Sequence, residues 1–190
     1  MALLKNLETE VRESKEHGET FAAVAGITED HQRFAPLVGT FRVVVRFWMG
    51  PGDPVESSGS MRNELTLGGR FLRQVFQGDP MPGSEALPAD AAPSFAGEGY
   101  LAYNNVDKRY ESVWVDNAST LIQVESGQID EAGREWNFYS TLTNPQSGGP
   151  MEKRTIITIV DEHRYQMEIW FRDPDGPEIK AMEMEFVKAN

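Results

Sequence analysis

The chain has 190 residues, a formal net charge of −12 and no cysteine. Its length suits one domain, and a hydrophobic content of 39% is enough for a sizeable core. The acidity argues against nucleic acid or an anionic membrane as a partner, and the lack of cysteine excludes disulfides, thiolate nucleophiles and Cys-ligated zinc. No stretch approaches the roughly 20 apolar residues of a membrane helix, and no secretory signal is recognised, so we expect a cytoplasmic protein.

Residues 1–27 are predicted to form a helical extension ahead of a single domain at 28–190. Helical periodicity runs over residues 3–17, and Gly18 is the expected end. The apolar stripe of this helix consists of Leu3, Leu4, Leu7 and Val11. We expect the stripe to pack on the main body or on a second subunit, which makes a homodimer one possible assembly.

A second short helix is predicted to begin at Thr28, a suitable N-cap that precedes two acidic residues. Its apolar edge consists of His31, Phe34, Leu37 and Val38. Gly39 is expected to end it, and the apolar period changes to two from there onward. A helix in this position is suited to plug one end of a barrel.

The remainder of the chain reads as about ten antiparallel strands joined by short turns, with no helix between them. A hairpin is predicted at 95–120, and the strands around it cover residues 41–48, 55–67, 71–77, 119–129, 135–143, 151–160, 164–172 and 178–187. Closing such a meander into a barrel leaves no exposed edge, and a barrel of this size leaves room for one small ligand. We therefore predict an all-β, antiparallel up-and-down barrel, with a two-sheet sandwich as the alternative.

Residues 78–94 hold four prolines and few large apolar side chains. A loop of this length is often functional, and we expect a mobile flap over a cavity mouth, with plain disorder as the alternative.

The hairpin turns at 104–107, between two runs of alternating apolar and polar residues. A four-residue loop places Tyr103 opposite Tyr110 and Gly99 opposite Trp114, whereas a two-residue loop shifts these pairs and keeps the same faces. Gly99 has no side chain, so the indole of Trp114 can lie over the neighbouring strand. We expect this face of the hairpin to point inward.

The inward face of the hairpin comprises Leu101, Tyr103, Tyr110, Ser112, Trp114 and Asp116. A purely structural core would rarely place a carboxylate beside a tryptophan, so this face is predicted to line a cavity. The alternative is that Asp116 lies at the strand end and caps the following turn.

Several motifs resemble a family of lipocalin-like, calycin-type β-barrel domains of unknown function. The matching residues are Gly39-Thr40-Phe41, Gly69-Arg70-Phe71-Leu72, Gly97, Gly99, Tyr103-Asn104-Asn105, Tyr110, Trp114-Val115-Asp116-Asn117, Thr120, Gly127, Asp130, Arg154 and Lys180-x-Met182-Glu183. The resemblance covers residues 31–187 and implies a lipocalin-like barrel. It implies no activity. The chain departs from the family at Asn104, where the family pattern has aspartate.

The candidate ligand-binding residues are Tyr103, Tyr110, Trp114, Asp116, Arg154 and Glu183. Arg154 beside Asp116 inside the barrel would orient a carboxylate or carbonyl group; the alternative is a salt bridge in the wall that only fixes strand register. The three histidines lack metal-ligand spacing, and His163 in a turn is poorly placed to ligate haem, so neither a metal nor a cofactor is expected.

Three functions remain open. The first is binding of a small, largely apolar ligand inside the barrel. The second is an isomerase or hydrolase that uses Asp116 or Glu183 as a base and Arg154 to stabilise an anion. The third is an interaction protein that dimerises through its N-terminal helix or an outer sheet face.

Overall fold

The computed structural model describes residues 2–80 and 94–189. Its elements in chain order are α1 (Ala2–Ala25), α2 (Glu29–Gln32), a 3₁₀ turn (Ala35–Leu37), β1 (Gly39–Phe47), β2 (Val55–Thr66), β3 (Phe71–Gly78), β4 (Ala96–Asn104), β5 (Arg109–Asp116), β6 (Gln123–Ile129), β7 (Glu135–Thr143), β8 (Pro150–Ile159), β9 (Arg164–Arg172) and β10 (Ile179–Lys188).

The ten strands form one closed antiparallel barrel in which each strand pairs with its neighbours in sequence. Strand β10 closes the barrel against β1, with Phe41 opposite Lys188 and Phe47 opposite Met182. Closure pairs the two strands that would otherwise be free edges. The predicted all-β up-and-down barrel is confirmed. The only strand start that differs by more than a few residues is that of β6, which begins at Gln123 after a loop at 117–122.

Strand β1 shows why the barrel has a distinct inner face. Phe41, Val43, Val45 and Phe47 are buried, whereas Arg42 and Val44 between them are exposed. This alternation follows from the two-residue period of a strand, which sends successive side chains to opposite faces. The same inner face continues across the barrel and forms the hydrophobic core.

The segment 28–38 closes one end of the barrel, as predicted. Thr28 is the N-cap of α2, and its backbone N–H donates to Nδ1 of His31 over 3.1 Å. Phe34 and Leu37 are fully buried, and the carbonyl oxygen of Leu37 accepts a hydrogen bond from Nδ2 of Asn63 at 2.8 Å. This plug therefore joins the hydrophobic core to a hydrogen-bonded contact with β2.

Helix α1 is longer than predicted, because Gly18 lies inside it and the helix continues to Ala25. A glycine costs a helix about 1 kcal/mol and does not have to end it. The C-terminal end of the helix is held by Arg70, whose Nε and Nη2 donate to the carbonyl oxygen of Ala25. The side chains of Leu3, Leu4, Leu7 and Val11 lie outside the described residues, so packing or dimerisation through that stripe stays a prediction.

The barrel has two different ends, because a meander sends alternate connections to opposite rims. The plug and the connection at 105–108 lie at one end, where Nδ2 of Asn105 donates to the carbonyl oxygens of Val24 and Gly26. The connections β1–β2, β3–β4, β5–β6, β7–β8 and β9–β10 lie at the other end, which we call the mouth. Residues 81–93 of the predicted flap belong to the mouth connection β3–β4 but lie outside the described residues.

Candidate functional site

A cavity of about 400 Å³ occupies the mouth half of the barrel interior. Most of its wall is apolar: Phe47, Met61, Phe76, Phe138, Ile157 and Met184 are representative. Cavities of roughly 300–1,000 Å³ with mainly apolar walls and a few polar groups are typical small-molecule sites. The barrel is therefore hollow on the side away from its plug.

Trp114 lines this cavity in the register that the sequence predicts, with Gly99 opposite Trp114 and Gly97 opposite Asp116. Its indole ring lies against β4. A Cβ atom added at Gly97 would lie 2.9 Å from Cε2 of Trp114, and one at Gly99 would lie 2.8 Å from Cε3. The two glycines thus make room for the ring on the inner wall.

Asp116 fulfils both roles considered for it. Its Oδ1 accepts a hydrogen bond from the backbone N–H of Ala118 at 3.1 Å, which caps the turn after β5. Its Oδ2 accepts from Nε1 of Trp114 at 3.2 Å and from Nε2 of Gln123 at 3.4 Å. The residue lines the cavity close to the mouth.

A buried ion pair lies on the same wall. The Nζ of Lys153 is 3.4 Å from Oε1 of Glu125, and each side chain is only 6% exposed. Lys153 also donates to Oε1 of Gln123 at 2.8 Å, and the hydroxyl of Thr155 donates to Oε1 of Glu125 at 2.9 Å. Burying two charges is costly unless they are paired and hydrogen-bonded, and here both conditions are met.

Ser140 lies beside this ion pair. Ser140 of β7 pairs with Lys153 of β8, and the preceding Tyr139 pairs with Ser126 of β6. The register therefore places Ser140 on the same face of the sheet as Lys153 and Glu125. Its hydroxyl is buried and has no hydrogen-bond partner among the described residues. Contacts run from Thr155 through this pair to Gln123 and Asp116, which makes one continuous polar wall.

Gln74 is a second polar group of the cavity. It lies on β3 opposite Gly99, which is itself opposite Trp114, so Gln74 and Trp114 belong to the same row across the wall. Its side chain is 5% exposed and makes no side-chain hydrogen bond to any residue in the described ranges. Its amide group faces the cavity with free donors and acceptors, so it can hydrogen-bond to a polar group of a bound molecule.

A family model described as "Protein of unknown function (DUF1579)" matches residues 27–188. The chain belongs to this family. No curated protein matches the sequence. The predicted membership in a family of domains of unknown function is confirmed. The lipocalin-like label suggested by the motifs stays a prediction.

Several solved structures resemble this chain in fold, three of which follow. The crystal structure of Rv2717c from M. tuberculosis has a TM-score of 0.59 at 14% identity, over 86% of this chain and 99% of that one. A redesigned β-barrel, b11L5F_LGL, has a TM-score of 0.41 at 13% identity, over 82% and 94% of the two chains. EF1p2_mFAP2b bound to DFHBI also has a TM-score of 0.41, at 12% identity over 84% and 98%. Only the likeness to Rv2717c is informative, because its TM-score is above 0.5, and at 14% identity it concerns the fold alone.

Tyr103 and Tyr110 do not line the cavity of the DUF1579 barrel. They lie one level deeper, at the plug, where the Tyr110 ring packs edge-on against Phe34 and Trp136. The Tyr110 hydroxyl donates to Oδ1 of Asp30 at 3.2 Å. Burial, reinforced by the nearby Asp30 carboxylate, raises the pKa of Tyr110. Both tyrosines therefore seal the closed end.

Arg154 and Glu183 lie on the outer surface, which overturns the expected pairing of Arg154 with Asp116 inside the barrel. Nε and Nη2 of Arg154 donate to the two carboxylate oxygens of Glu178 at 2.9 and 2.8 Å. Glu183 accepts from Nη1 of Arg46 at 2.9 Å and from Nζ of Lys180 at 2.8 Å, and these cations lower its pKa, Lys180 most strongly. The predicted base Glu183 and the predicted anion-stabilising Arg154 are thus both outside the cavity.

The assignment of β8 and β10 faces failed for two local reasons. Strand β8 has isoleucine at both 156 and 157, so apolar periodicity does not identify its inner face, which carries Lys153, Thr155 and Ile157. In β10 the register shifts between Lys180 and Met182, and this irregularity changes the alternation. Of the six predicted residues, two line the cavity: Trp114 and Asp116.

Sequence reasoning missed Gln74, Gln123, Glu125 and Lys153. The β5–β6 hairpin held a usable signal, because Trp114 pairs with Gln123 and Ser112 with Glu125. Once Trp114 is assigned inward, its strand partners must also point inward. The signal was lost because β6 was predicted to begin four residues too early.

Across residues 2–80 and 94–189, no group of three or more His, Cys, Asp or Glu side chains is arranged to hold a metal ion. Within the same residues, no helix combines the length and apolar character needed to cross a membrane. His163 is exposed in the β8–β9 turn, away from the cavity.

Proposed function

We propose that this DUF1579 protein binds a small, largely apolar molecule inside its barrel. The observation that carries the proposal is the cavity of about 400 Å³ behind the mouth. Protein interiors are normally packed by side chains with few voids larger than a water molecule. A space of this size inside the barrel therefore supports binding of a small molecule.

The distribution of polar groups indicates a ligand with one polar end. Asp116, Gln123, Glu125 and Lys153 lie together on the wall formed by β5, β6 and β8, with Gln74 on nearby β3. The opposite wall, on β1, β9 and β10, is apolar, with Val45, Met167 and Met184 among its residues. A molecule with an apolar body and one hydrogen-bonding group matches this division.

The mouth provides access. Leu121 lines the cavity and is 55% exposed, so its side chain connects the interior with solvent. Phe95 and Asp79, which flank the undescribed part of the β3–β4 connection, also line the cavity. A ligand is therefore expected to enter between the loops of the mouth and not through the plug.

Binding of a fluorescent dye tests this proposal. The neutral dye N-phenyl-1-naphthylamine fluoresces more strongly in apolar surroundings, so its emission should rise and saturate at one dye per chain. Ser112→Phe should weaken dye binding at least tenfold, because Ser112 lines the cavity and a phenyl ring there would fill part of it. Ser126→Phe is the matched control, since Ser126 pairs with exposed Tyr139 on the outer face.

The two variants give a clear decision. Unchanged dye affinity in folded Ser112→Phe, or no saturable dye binding by the unmodified protein, would overturn the proposal. If Ser112→Phe does not fold, Ala118→Trp serves instead, because Ala118 is an exposed loop residue at the edge of the cavity. Native mass spectrometry of the purified protein would then identify any molecule that copurifies.

A further inference from the structure

We infer that the polar end of the ligand is a protonated amine, and that the cavity discriminates against carboxylates. This inference rests on the proposed function and specifies the chemical class of ligand. It depends on the charges of the cavity wall, on the engagement of its one cation, and on polar and aromatic groups left facing the cavity.

The charged residues that line the cavity are Asp79, Asp116, Glu125 and Lys153. Three carboxylates against one ammonium leave a formal excess of two negative charges. Asp79 accepts hydrogen bonds from the hydroxyl and the backbone N–H of Ser58 at 2.7 and 3.0 Å, and these bonds lower its pKa. An anionic ligand would enter against this excess, whereas a cation would reduce it.

Among the described residues that line the cavity, Lys153 is the only cation, and it is already engaged. Lys153 is paired with Glu125 and donates to Gln123, and its side chain is only 6% exposed. A carboxylate ligand that reached Lys153 would have to share this ammonium with Glu125. Two carboxylates would then lie side by side in a buried site and repel one another. The ion pair therefore acts against recognition of a fatty acid or any similar anion.

The groups with capacity to spare suit an ammonium. The amide of Gln74 faces the cavity and makes no side-chain hydrogen bond to the described residues, so its oxygen can accept one. Trp114 lies in the same row and presents an aromatic ring to the cavity, which attracts cations through its π face. Asp116, one row nearer the mouth, supplies the negative charge. An amine near these three residues leaves its apolar tail free to enter the cavity.

Competition among decylamine, decanol and decanoate tests the inference, because these molecules share one chain and differ in the head group. Each would displace N-phenyl-1-naphthylamine at neutral pH, where the amine is protonated and the acid ionised. We expect decylamine to bind about fivefold to tenfold more tightly than decanol, and decanol more tightly than decanoate. Decanoate binding as well as decanol, or decylamine binding no better than decanol, would overturn the inference.

Variants locate the effect. Asp116→Asn should remove most of the advantage of decylamine over decanol, which is the ratio of the two affinities measured in the same variant. Asp175→Asn makes the same charge change in the exposed β9–β10 turn, also at the mouth end, and should keep the advantage. An equal loss in both variants would show a general charge effect and overturn the assignment to Asp116. If no ligand and no dye binds, the proposed function itself fails, which is a different result from a wrong order among bound ligands.

Discussion

The Nζ of Lys153 and the Oε1 of Glu125 lie 3.4 Å apart inside a barrel whose wall is otherwise mainly apolar. Neither residue is isolated, because Gln123 accepts from the lysine and Thr155 donates to the glutamate. The pair is therefore held together by its neighbours as well as by charge.

Removing one member of this pair should destabilise the protein far more than removing both. Lys153→Met leaves Glu125 buried without its cation and should lower the free energy of unfolding by about 3–5 kcal/mol. The double variant Lys153→Met with Glu125→Leu should recover most of that loss, because two apolar side chains replace two buried charges. Urea unfolding monitored by tryptophan fluorescence measures both values. A double variant as unstable as Lys153→Met would contradict this account.

Gly97 and Trp114 should be energetically coupled. The three atoms nearest to a Cβ atom at Gly97 all belong to the Trp114 side chain, so Gly97→Ala should cost about 1–3 kcal/mol in the free energy of unfolding. That cost should shrink in a Trp114→Leu background, where the indole is gone. A double-mutant cycle by chemical denaturation measures the coupling.

Gly99 provides the control for this cycle. A Cβ atom there would meet the backbone carbonyl oxygen of Val113 as well as Trp114. Trp114→Leu removes only part of that overlap, so Gly99→Ala should remain costly in both backgrounds. Equal rescue at Gly97 and Gly99 would show that the indole is not what the glycine at 97 accommodates.

The plug should loosen in mild acid because of His31. Burial lowers the pKa of His31 below its ordinary value of 6.5, outweighing the opposite effect of Asp30, while Arg70 also lowers it slightly. The unfolded chain therefore takes up this proton at a higher pH than the folded chain. The associated stability is complete above about pH 6.5 and is lost as the pH falls below it.

The protein should thus lose more unfolding free energy between about pH 7.5 and pH 5.5 than His31→Gln does over the same interval. Glutamine is a suitable replacement because its side-chain oxygen can accept the hydrogen bond that Nδ1 of His31 accepts from the Thr28 backbone. Thermal unfolding at a series of pH values provides the comparison. Parallel curves for the two proteins would exclude His31 as the origin of the acid sensitivity.

Arg154 and Glu183 should be dispensable for ligand binding. Arg154→Ala and Glu183→Gln change ion pairs on the outer wall, so dye affinity should stay within about twofold of the unmodified protein. Equilibrium titration with N-phenyl-1-naphthylamine checks this. A tenfold loss from either substitution would place that residue functionally in the cavity, contrary to its position.

The end of α1 should depend on Asn105. Asn105→Ala removes the donor that reaches the carbonyl oxygens of Val24 and Gly26, so amides near residues 21–25 should exchange hydrogen faster. Asn144→Ala in the β7–β8 loop, at the opposite end of the barrel, is the control and should leave those amides unchanged. Hydrogen exchange with mass spectrometry distinguishes the two results.

The barrel could be predicted from the sequence because its signals are local. The strands were predicted from regular turns and two-residue alternation. The register of one hairpin, with Gly99 opposite Trp114, was predicted for a four-residue loop and agrees with the structure. Helix α1 was predicted too short because glycine was taken as a stop, although Gly18 has open space around it and fits within the helix.

The polar wall could not be predicted as readily, because it depends on which face of β8 points inward. Arg154 and Lys153 are adjacent cations, and the paired isoleucines that follow give equal apolar support to either choice. The pairing with β7 decides between them, because the buried Phe138 and Trp136 lie opposite Thr155 and Ile157, on the same face as Lys153. Lys153 is therefore buried beside Glu125, whereas the adjacent Arg154 forms a surface ion pair with Glu178.

The strictly sequential meander has a consequence for how this family can diversify. Five connections surround the mouth, whereas the closed end is built from the plug at 28–38 and from the connections of the opposite rim. Insertions or replacements in the mouth connections can reshape what is admitted without touching the residues that hold the closed end in place. New specificity in such a scaffold need not come at the expense of its ability to fold.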